Sequence, residues 1–291
     1  MAERRLLAVL AHPDDESFGP GGTLAKYAAQ GVDVHIAICT DGAAGSVTEE
    51  FETSRARLVE IRRKELEGAV AILGGHLHQL GFRDSGYIGD PANDDPQTFM
   101  NVELERGAAS VVRLMRTIRP QVVITHDETG GYFHPDHIKA HEITLAAFHA
   151  AGEASEYPGV GGAPYRPQRL FFTAFPQRWL RLFRVVMRLR GQDPSRMGRN
   201  NDVDFTNLGR PMAELHARIN TLEFWETKMA ASAQHRSQGG GTGGFLSWMP
   251  RWLQKRMLST EYFIRGYPPA RDGERISDLF AGVSVRSKEA I

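Results

Sequence analysis

The sequence contains one cysteine, Cys39, in 291 residues, and this scarcity excludes two kinds of architecture. A lone cysteine cannot form a disulfide within the chain, and it cannot build a metal site from several thiolates. Any metal ion must therefore be held by histidine and carboxylate side chains. Such low cysteine content is typical of a reducing compartment, so we expect a cytoplasmic protein.

The chain also lacks a net charge and a long apolar run. Lys and Arg together number 35, as do Asp and Glu, so no excess of positive charge indicates a nucleic acid partner. No uninterrupted apolar stretch approaches the ~18 residues of a membrane-spanning helix, and the amino terminus shows no small-residue cleavage site. With 41% apolar and 24% charged residues, the composition is that of a soluble globular protein.

Short apolar runs alternate with helical patterns in the first part of the chain, which predicts βαβ units and a parallel sheet. The predicted strands are Leu6–Ala11, Val34–Thr40, Leu77–Phe82, Val122–Thr125 and Arg169–Phe175. We predict an α/β fold with a Rossmann-like, mostly parallel sheet flanked by helices in residues 1–175. A mostly helical carboxy-terminal part, residues 176–291, should pack on this core and select the substrate.

Two of the predicted strands are followed by clusters of metal-competent side chains. His12-Pro13-Asp14-Asp15-Glu16 follows the first strand, and Tyr132-Phe133-His134-Pro135-Asp136-His137 comes shortly after the fourth. Ligands of an open parallel sheet bind at the carboxyl ends of its strands. The turn after the first strand also lacks the Gly-x-Gly-x-x-Gly pattern of dinucleotide binders, which argues against a nicotinamide or flavin cofactor.

These clusters contain the donors of a catalytic metal site. One His and one Asp from the first cluster and one His from the second would supply three zinc ligands and leave a position for water. A remaining carboxylate could act as general base, and a further His could polarise a carbonyl or protonate an amine. The same donor set suits Fe²⁺ as well as Zn²⁺. The alternative is ordinary turn chemistry, with Asp136 as a helix cap.

Two further histidines lie near the predicted site. His137 and His141 have the spacing of a zinc-binding helix, but Ile138 stands where that motif requires glutamate. We therefore interpret His141 as a surface residue or as a support for a ligand. His126, at the end of the fourth strand, is either such a support or an ordinary loop residue.

The segments Ala11–Glu16 and His134–His137 together resemble the LmbE-like, or PIG-L, family of zinc-dependent N-deacetylases. The hallmarks of this family are Ala-His-Pro-Asp-Asp-Glu after the first strand and a later His-Pro-Asp-His, and both occur intact. The similarity covers nearly the whole chain and is closest to the branch of the mycothiol-biosynthesis deacetylase and mycothiol S-conjugate amidase. It includes the segments Ile61–Glu65, Arg83–Gly86, Gly130–Tyr132 and His235–Gln238.

The resemblance implies a role for each residue of the two hallmarks. The implied zinc ligands are His12, Asp15 and His137. Asp14 is then the general base, and His134 stabilises the oxyanion and protonates the amine. Asp136 orients His134, and Tyr132 steadies the tetrahedral intermediate.

The same resemblance implies three substrate-binding residues, Arg62, Asp84 and Gln238, which would hold sugar hydroxyls. A guanidinium and a carboxylate can bind a polyol through charge-assisted hydrogen bonds. The alternatives are a solvated helix face for Arg62 and a turn residue for Asp84. One departure concerns Gly19, which stands where the amidase branch tends to carry Lys.

The resemblance therefore implies a metal-dependent hydrolase that removes an acyl group, most simply acetyl, from an N-acylglucosamine-type sugar or its glycoside by means of a zinc-activated water. One alternative is an amidase that cleaves a thiol-sugar S-conjugate. Another is a sugar- or metal-binding module without catalysis. The implied partner is a small amino-sugar, and no oligomeric state is assigned.

The segment Trp179–Arg190 is unusually basic, with four arginines among apolar residues. A helix of this kind can lie on an anionic membrane surface. The favoured interpretation is a basic surface helix that packs its apolar stripe on the core.

Overall fold

A mixed sheet organises the protein. The computed structural model describes residues 3–45, 47, 53–191, 193–196, 206, 208–240 and 250–284. Its strands are β1 (Arg5–Leu10), β2 (Asp33–Thr40), β3 (His76–Phe82), β4 (Val122–Thr125), β5 (Arg169–Ala174), β6 (Ala217–Asn220) and β7 (Thr260–Tyr267). They lie in the order β3-β2-β1-β4-β5-β7-β6. Strands β1 to β5 pair in parallel, whereas β7 is antiparallel to both β5 and β6.

Helices cover both faces of this sheet. They are α1 (Asp15–Phe18), α2 (Gly21–Ala29), α3 (Arg55–Leu73), α4 (Leu104–Ile118), the single turn α5 (Gly130–Phe133), α6 (Pro135–Ala150), α7 (Gln177–Leu189), α8 (Trp225–Ser232) and α9 (Arg251–Leu258). One core layer lies between the sheet and α2, α3 and α8, and the other lies between the sheet and α4 and α6. The predicted α/β fold class is thus confirmed.

The central strand β1 shows why the sequence adopts this architecture. Residues Leu6–Leu10 are fully buried, and their side chains alternate between the two core layers. A parallel strand covered on both faces is expected to be a continuous apolar run rather than an alternating one. The apolar run at the start of the chain therefore specifies the centre of the sheet.

Helix boundaries follow local capping signals. The Ser54 hydroxyl accepts the Arg57 N–H at the start of α3, and Gly74 ends that helix in the left-handed conformation. Helix α4 begins at Leu104 rather than directly after Asn101. The reason is a 3₁₀ turn at Phe99–Asn101, after which the N–H of Val102 bonds to the Phe99 carbonyl.

The sequence analysis did not predict β6 and β7, which extend the sheet with carboxy-terminal residues. Strand β7 carries Tyr262, Phe263 and Ile264, residue types that favour strands, but it also carries the charged Glu261 and Arg265. Because charged and apolar residues are mixed in β7, a search for apolar runs does not detect this strand. The assignment of residues 176–291 to substrate selection stays a prediction.

The basic helix α7 has its apolar residues on more than one side. Phe183 and Met187 are buried, whereas Leu182, Val185 and Leu189 are exposed. Within the described residues, no helix combines the length and the apolar character needed to cross a membrane.

A buried ion pair fastens β7 to the amino-terminal half of the chain. Glu261 accepts the backbone N–H groups of Gly22 and Thr23 in the first turn of α2. Its Oε1 also accepts the Lys228 ammonium of α8 at 2.6 Å, with both side chains at most 10% exposed. A buried carboxylate of this kind depends on its cation, because removal of one partner leaves an uncompensated charge.

We therefore expect Lys228→Met to lower the free energy of unfolding by about 3–5 kcal/mol. Chemical denaturation measures this loss. The matched control is Arg63→Met, which breaks the half-exposed Arg63–Glu67 pair of α3 and should cost no more than ~1 kcal/mol. Equal losses in the two variants would contradict the structural role of the buried pair.

Candidate active site

The two motif-bearing segments meet at the carboxyl edge of the sheet. Strand β1 lies between β2 and β4, so the chain winds to one side of β1 through β2 and β3 and then returns to its other side. Such a reversal opens a crevice at the carboxyl ends of the two diverging strands. Residues 11–16 follow β1 and residues 126–137 follow β4, which places both motifs in that crevice.

The turn after β1 holds Asp14 in a strained conformation. Its φ is +125°, a region that residues other than glycine rarely adopt. The backbone N–H of Asp14 donates to Glu16 Oε2 at 3.0 Å, and the backbone N–H of His12 donates to Asp15 Oδ2 at 2.8 Å. Strain of this kind persists only where surrounding contacts enforce it, and it clusters at functional sites.

The three predicted metal ligands come together. His12 Nδ1 lies 3.1 Å from His137 Nε2, and His137 Nε2 lies 3.4 Å from Asp15 Oδ1. The third distance, from His12 Nδ1 to Asp15 Oδ2, is 3.8 Å. Among the described residues, three overlapping groups of side chains could each hold a metal ion. The groups are His12, His134 and His137; Asp15, His126 and His137; and His12, Asp84 and Asp136.

The charge of the site fits a cation. Asp84 and Asp136 are buried, and the side chains of Asp14 and Asp15 are only 16% and 14% exposed. Among the described residues in direct contact with these carboxylates, the guanidinium of Arg62 is the permanent cation. Buried carboxylates need compensating positive charge, and imidazole and carboxylate donors suit Zn²⁺ or Fe²⁺.

The raised pKa of His12 reflects the same excess of negative charge. Burial by itself lowers its pKa, but Asp84 and Asp136 outweigh burial and raise the pKa well above the usual value. The pKa of Asp15 shifts in the opposite direction. Burial raises its pKa, but His137 and His126 outweigh this and hold the pKa well below the usual range. Asp15 is therefore a carboxylate surrounded by imidazoles.

Asp136 has a different partner from the one expected. The resemblance implied that its carboxylate orients His134, but this carboxylate lies 3.2 Å from His12 Nε2 and accepts the N–H and hydroxyl of Ser85. Nor does Asp136 cap α6, because the side chain of His134 accepts the Asp136 N–H as the N-cap. The carboxylate thus orients His12, and Ser85 secures the carboxylate.

His134 is positioned by that cap. Its Nδ1 accepts the backbone N–H of Asp136 at 3.2 Å, so the proton of the neutral ring is on Nε2. Burial, with His12 nearby, lowers the pKa of His134 to about 3. His134 is therefore a neutral hydrogen-bond donor at this site. The Tyr132 ring lies with its centre 5.7 Å from that of His134 and 5.0 Å from that of His137.

Asp14 is a largely buried carboxylate whose pKa lies close to neutrality. Burial raises its pKa to about 7, although the Arg62 guanidinium opposes this rise. Arg62 Nη2 donates to Asp14 Oδ2 at 3.1 Å and to the carbonyl of Pro13, and its Nη1 donates to the Gly42 carbonyl at 2.8 Å. A base whose pKa is close to neutrality transfers protons efficiently in both directions.

Of the predicted substrate residues, Arg62 contacts Asp14, and Asp84 lies 4.0 Å from Arg62. Arg62 is 2% exposed, so the alternative interpretation that it lies on a solvated helix face is wrong. Asp84 accepts the N–H groups of Ala44 and Gly86 and lies 3.6 Å from His12 Nε2. A Cβ at Gly45 would lie 2.3 Å from Arg62 Nη1 and 3.0 Å from Gln238 Oε1, so both side chains face this glycine.

Two supporting residues were not assigned a role from the sequence. Glu16 is fully buried, and its Oε1 lies 2.6 Å from Nε2 of the fully buried His235. Because Glu16 Oε2 accepts the Asp14 N–H, this pair supports the strained turn. Both residues occur in the motifs Ala11–Glu16 and His235–Gln238, but sequence alone did not show that they pair.

The two neighbouring histidines also support ligands. Nε2 of His126 lies 3.4 Å from Asp15 Oδ2, and its ring stacks on His137 with the centres 3.9 Å apart. His141 bonds through Nδ1 to the carbonyl of His126. His141 therefore holds the His126 backbone, while His126 contacts two predicted metal ligands.

The backbone turn Gly130–Gly131 sets the position of His137. Nδ1 of His137 lies 3.0 Å from the carbonyl of Gly130. A Cβ at Gly130 would lie 2.7 Å from the His137 Cβ, whereas a Cβ at Gly131 would meet nothing within 4 Å. Both glycines have φ above +60°, so alanine is strained at either position.

We expect Gly130→Ala to weaken Zn²⁺ binding by about 10- to 100-fold, because it displaces His137. The matched control, Gly131→Ala, also places alanine at a positive φ, at a cost of ~1–3 kcal/mol, but should bind Zn²⁺ like the unmodified chain. Calorimetric titration with Zn²⁺ measures the affinity, and thermal unfolding measures the strain. If both variants lost zinc affinity equally, the proximity of Gly130 to His137 would not explain the loss.

Comparisons with known proteins place this site in a family. A family model described as PIG-L, GlcNAc-PI de-N-acetylase, matches residues 7–148, which contain both motifs. A 1D-myo-inositol 2-acetamido-2-deoxy-alpha-D-glucopyranoside deacetylase from Geodermatophilus obscurus is 37% identical over 96% of this chain and 98% of its own length. A mycothiol S-conjugate amidase from Streptomyces coelicolor is 33% identical over 96% of this chain and 97% of its own length.

A solved structure shares the fold. The N,N'-diacetylchitobiose deacetylase from Pyrococcus horikoshii superposes with a TM-score of 0.62, covers 97% of this chain and 86% of its own, and is 19% identical. The relatives confirm the predicted resemblance and the predicted class of enzyme, a deacetylase or amidase. The chain therefore belongs to the PIG-L, or GlcNAc-PI de-N-acetylase, family.

Proposed function

We propose that the protein hydrolyses the amide bond of an N-acylglucosamine-type sugar or its glycoside, with a zinc ion held by His12, Asp15 and His137. The observation that supports this most directly is the position of Asp14. It adjoins the three metal-competent side chains, and burial brings its pKa to about 7. A base and a metal site in one crevice are the two requirements of metal-assisted amide hydrolysis.

Each residue of the site has a separate role in the reaction. A bound metal ion supplies a Lewis acid that polarises the amide carbonyl and acidifies the attacking water. Asp14 accepts a proton from that water as its oxygen adds to the carbonyl carbon. The Nε2–H of His134 donates a hydrogen bond to the carbonyl oxygen as negative charge develops there. Tyr132, whose ring packs beside His134, completes this side of the site.

The proton then returns to the leaving group. The carbon–nitrogen bond breaks as the amine nitrogen gains a proton, and the products are a carboxylic acid and a free amine. The lowered pKa of His134 favours Asp14 over His134 for this transfer, because a pKa of about 7 allows uptake and release at neutral pH.

Arg62, Asp84 and Gln238 are the proposed contacts to the sugar. Their grouping around Gly45 and His12 supports this role. Residues of the carboxy-terminal part, including Gln238, would then select the substrate.

A second candidate is an amidase that cleaves a larger amide in a thiol-sugar conjugate. The 33% identical amidase relative favours it, whereas Gly19, at the position where that branch tends to carry Lys, does not. Turnover of a simple N-acetyl sugar, compared with turnover of a bulky thiol conjugate, separates the two activities.

We expect Asp14→Asn to reduce kcat on N-acetylglucosamine derivatives by about 10²- to 10⁴-fold, since the base is lost. Elemental analysis must show that the variant retains its metal. The control is Asp94→Asn at an exposed position, which should turn over like the unmodified enzyme. Undiminished hydrolysis by metal-replete Asp14→Asn would refute the assignment of the base.

The ligand assignment has a separate test. The metal-free chain titrated with Zn²⁺ should bind one ion, and His137→Ala should weaken that binding by at least ~10-fold. His149→Ala, at an exposed position of the same helix, should bind as the unmodified chain does. Parallel titration with Fe²⁺ under anaerobic conditions, followed by activity assays, identifies the metal that supports turnover.

A further inference from the structure

An apolar cavity opens directly from the catalytic residues. It has a volume of about 350 Å³. Its lining includes Asp14, Asp15, Tyr132 and His137. The proposed sugar contacts Arg62, Asp84 and Gln238 do not line it, so the cavity serves another part of the substrate.

Carboxy-terminal elements supply another part of the lining. Helix α7 contributes Trp179, Leu180 and Phe183, and α9 contributes Met257 and Leu258. The buried pair Phe183 and Met257 belong to one apolar cluster, which joins these two helices. The part of the lining that these two helices supply is thus hydrocarbon and aromatic.

The charged groups in the wall are already paired. Lys228 donates to Glu261 and to the carbonyl of Gly19, each at 2.6 Å. Glu261 further accepts the N–H groups of Gly22 and Thr23. These two side chains leave no unpaired charge that would call for a charged ligand.

Two aromatic rings of the lining are partly open to solvent. Phe18 is 41% exposed and Phe175 is 52% exposed, and exposed lining residues of this kind mark the opening of the cavity. Neighbouring large apolar groups left in water indicate a site for an apolar ligand. Gly19 lies at the same opening and adds no side chain to it.

The cavity is too large for an acetyl group. A methyl group needs about the ~30 Å³ that one water molecule occupies in the liquid, a small fraction of the 350 Å³ present. Cavities of about this size hold drug-sized ligands and are mostly apolar. An acetyl substrate would leave most of the apolar wall without a partner.

We propose that this cavity binds the acyl group of the substrate, and that the preferred substrate carries an apolar acyl chain longer than acetyl. The inference rests on the proposed amide hydrolysis, because the carbonyl must lie at Asp14 for the chain to enter the cavity. Water adds to the carbonyl, the carbon–nitrogen bond breaks, and a fatty acid and a free amino-sugar leave.

The test is a series of N-acyl glucosamines with acetyl, butyryl, hexanoyl and octanoyl groups, assayed with the zinc-loaded enzyme. We expect kcat/KM to rise with chain length, by about ten-fold or more between acetyl and octanoyl, as successive methylenes are buried. Mass spectrometry should find octanoic acid and glucosamine in equal amounts.

A pair of variants locates the effect in the cavity. Leu180→Trp places a larger side chain in the wall, whereas Leu182→Trp makes the same change on the same helix at a 51% exposed residue outside the cavity. Leu180→Trp should lower the octanoyl-to-acetyl ratio of kcat/KM by about ten-fold, and Leu182→Trp should leave the ratio unchanged. Ala174→Leu, on β5, tests the opposite wall in the same manner.

The outcomes separate this proposal from the one on which it rests. Hydrolysis of N-acetylglucosamine without a gain for longer chains would overturn the acyl cavity and leave the amide hydrolase intact. No hydrolysis of any member by a folded, zinc-loaded enzyme would overturn both. Equal effects of Leu180→Trp and Leu182→Trp on the ratio would also overturn the acyl cavity.

Discussion

The structure depends on carboxylates that are withdrawn from water at the edge where β1 and β4 diverge. Taking a carboxylate out of water costs several kcal/mol unless partners compensate it, and each one here has such partners. They are Arg62 for Asp14, Ser85 and His12 for Asp136, His235 for Glu16 and Lys228 for Glu261. These contacts fix the local charge and hold the strained turn that presents Asp14, whose pKa is raised by burial.

These partners also make the site and the fold depend on each other. Arg62 lies on α3, Lys228 lies on α8, and His235 follows α8. The carboxylates that they contact belong to the residues that follow β1 or to β7. The carboxy-terminal part therefore completes the site in two ways. It supplies polar supports beneath Asp14 and the apolar wall of the cavity above it.

Much of the fold and of the reacting centre could be predicted from the sequence. The apolar runs of β1 and β4 and the capping signals of α3 are local features, and the two motifs follow strands that a parallel sheet brings side by side. Strands β6 and β7 could not be predicted in this way. They pair antiparallel at the sheet edge, and charged residues such as Glu261 interrupt the apolar pattern of β7.

The sequence by itself determined which donors exist and that they gather at one edge of a sheet, because residue type and periodicity are local. Only the tertiary structure decided which donor faces which. Asp136 contacts His12 rather than His134, Arg62 is buried rather than solvated, and Glu16 pairs with a histidine that follows it by 219 residues. Such pairings depend on how distant segments pack and on which partner compensates each buried charge, and neither is encoded in local spacing.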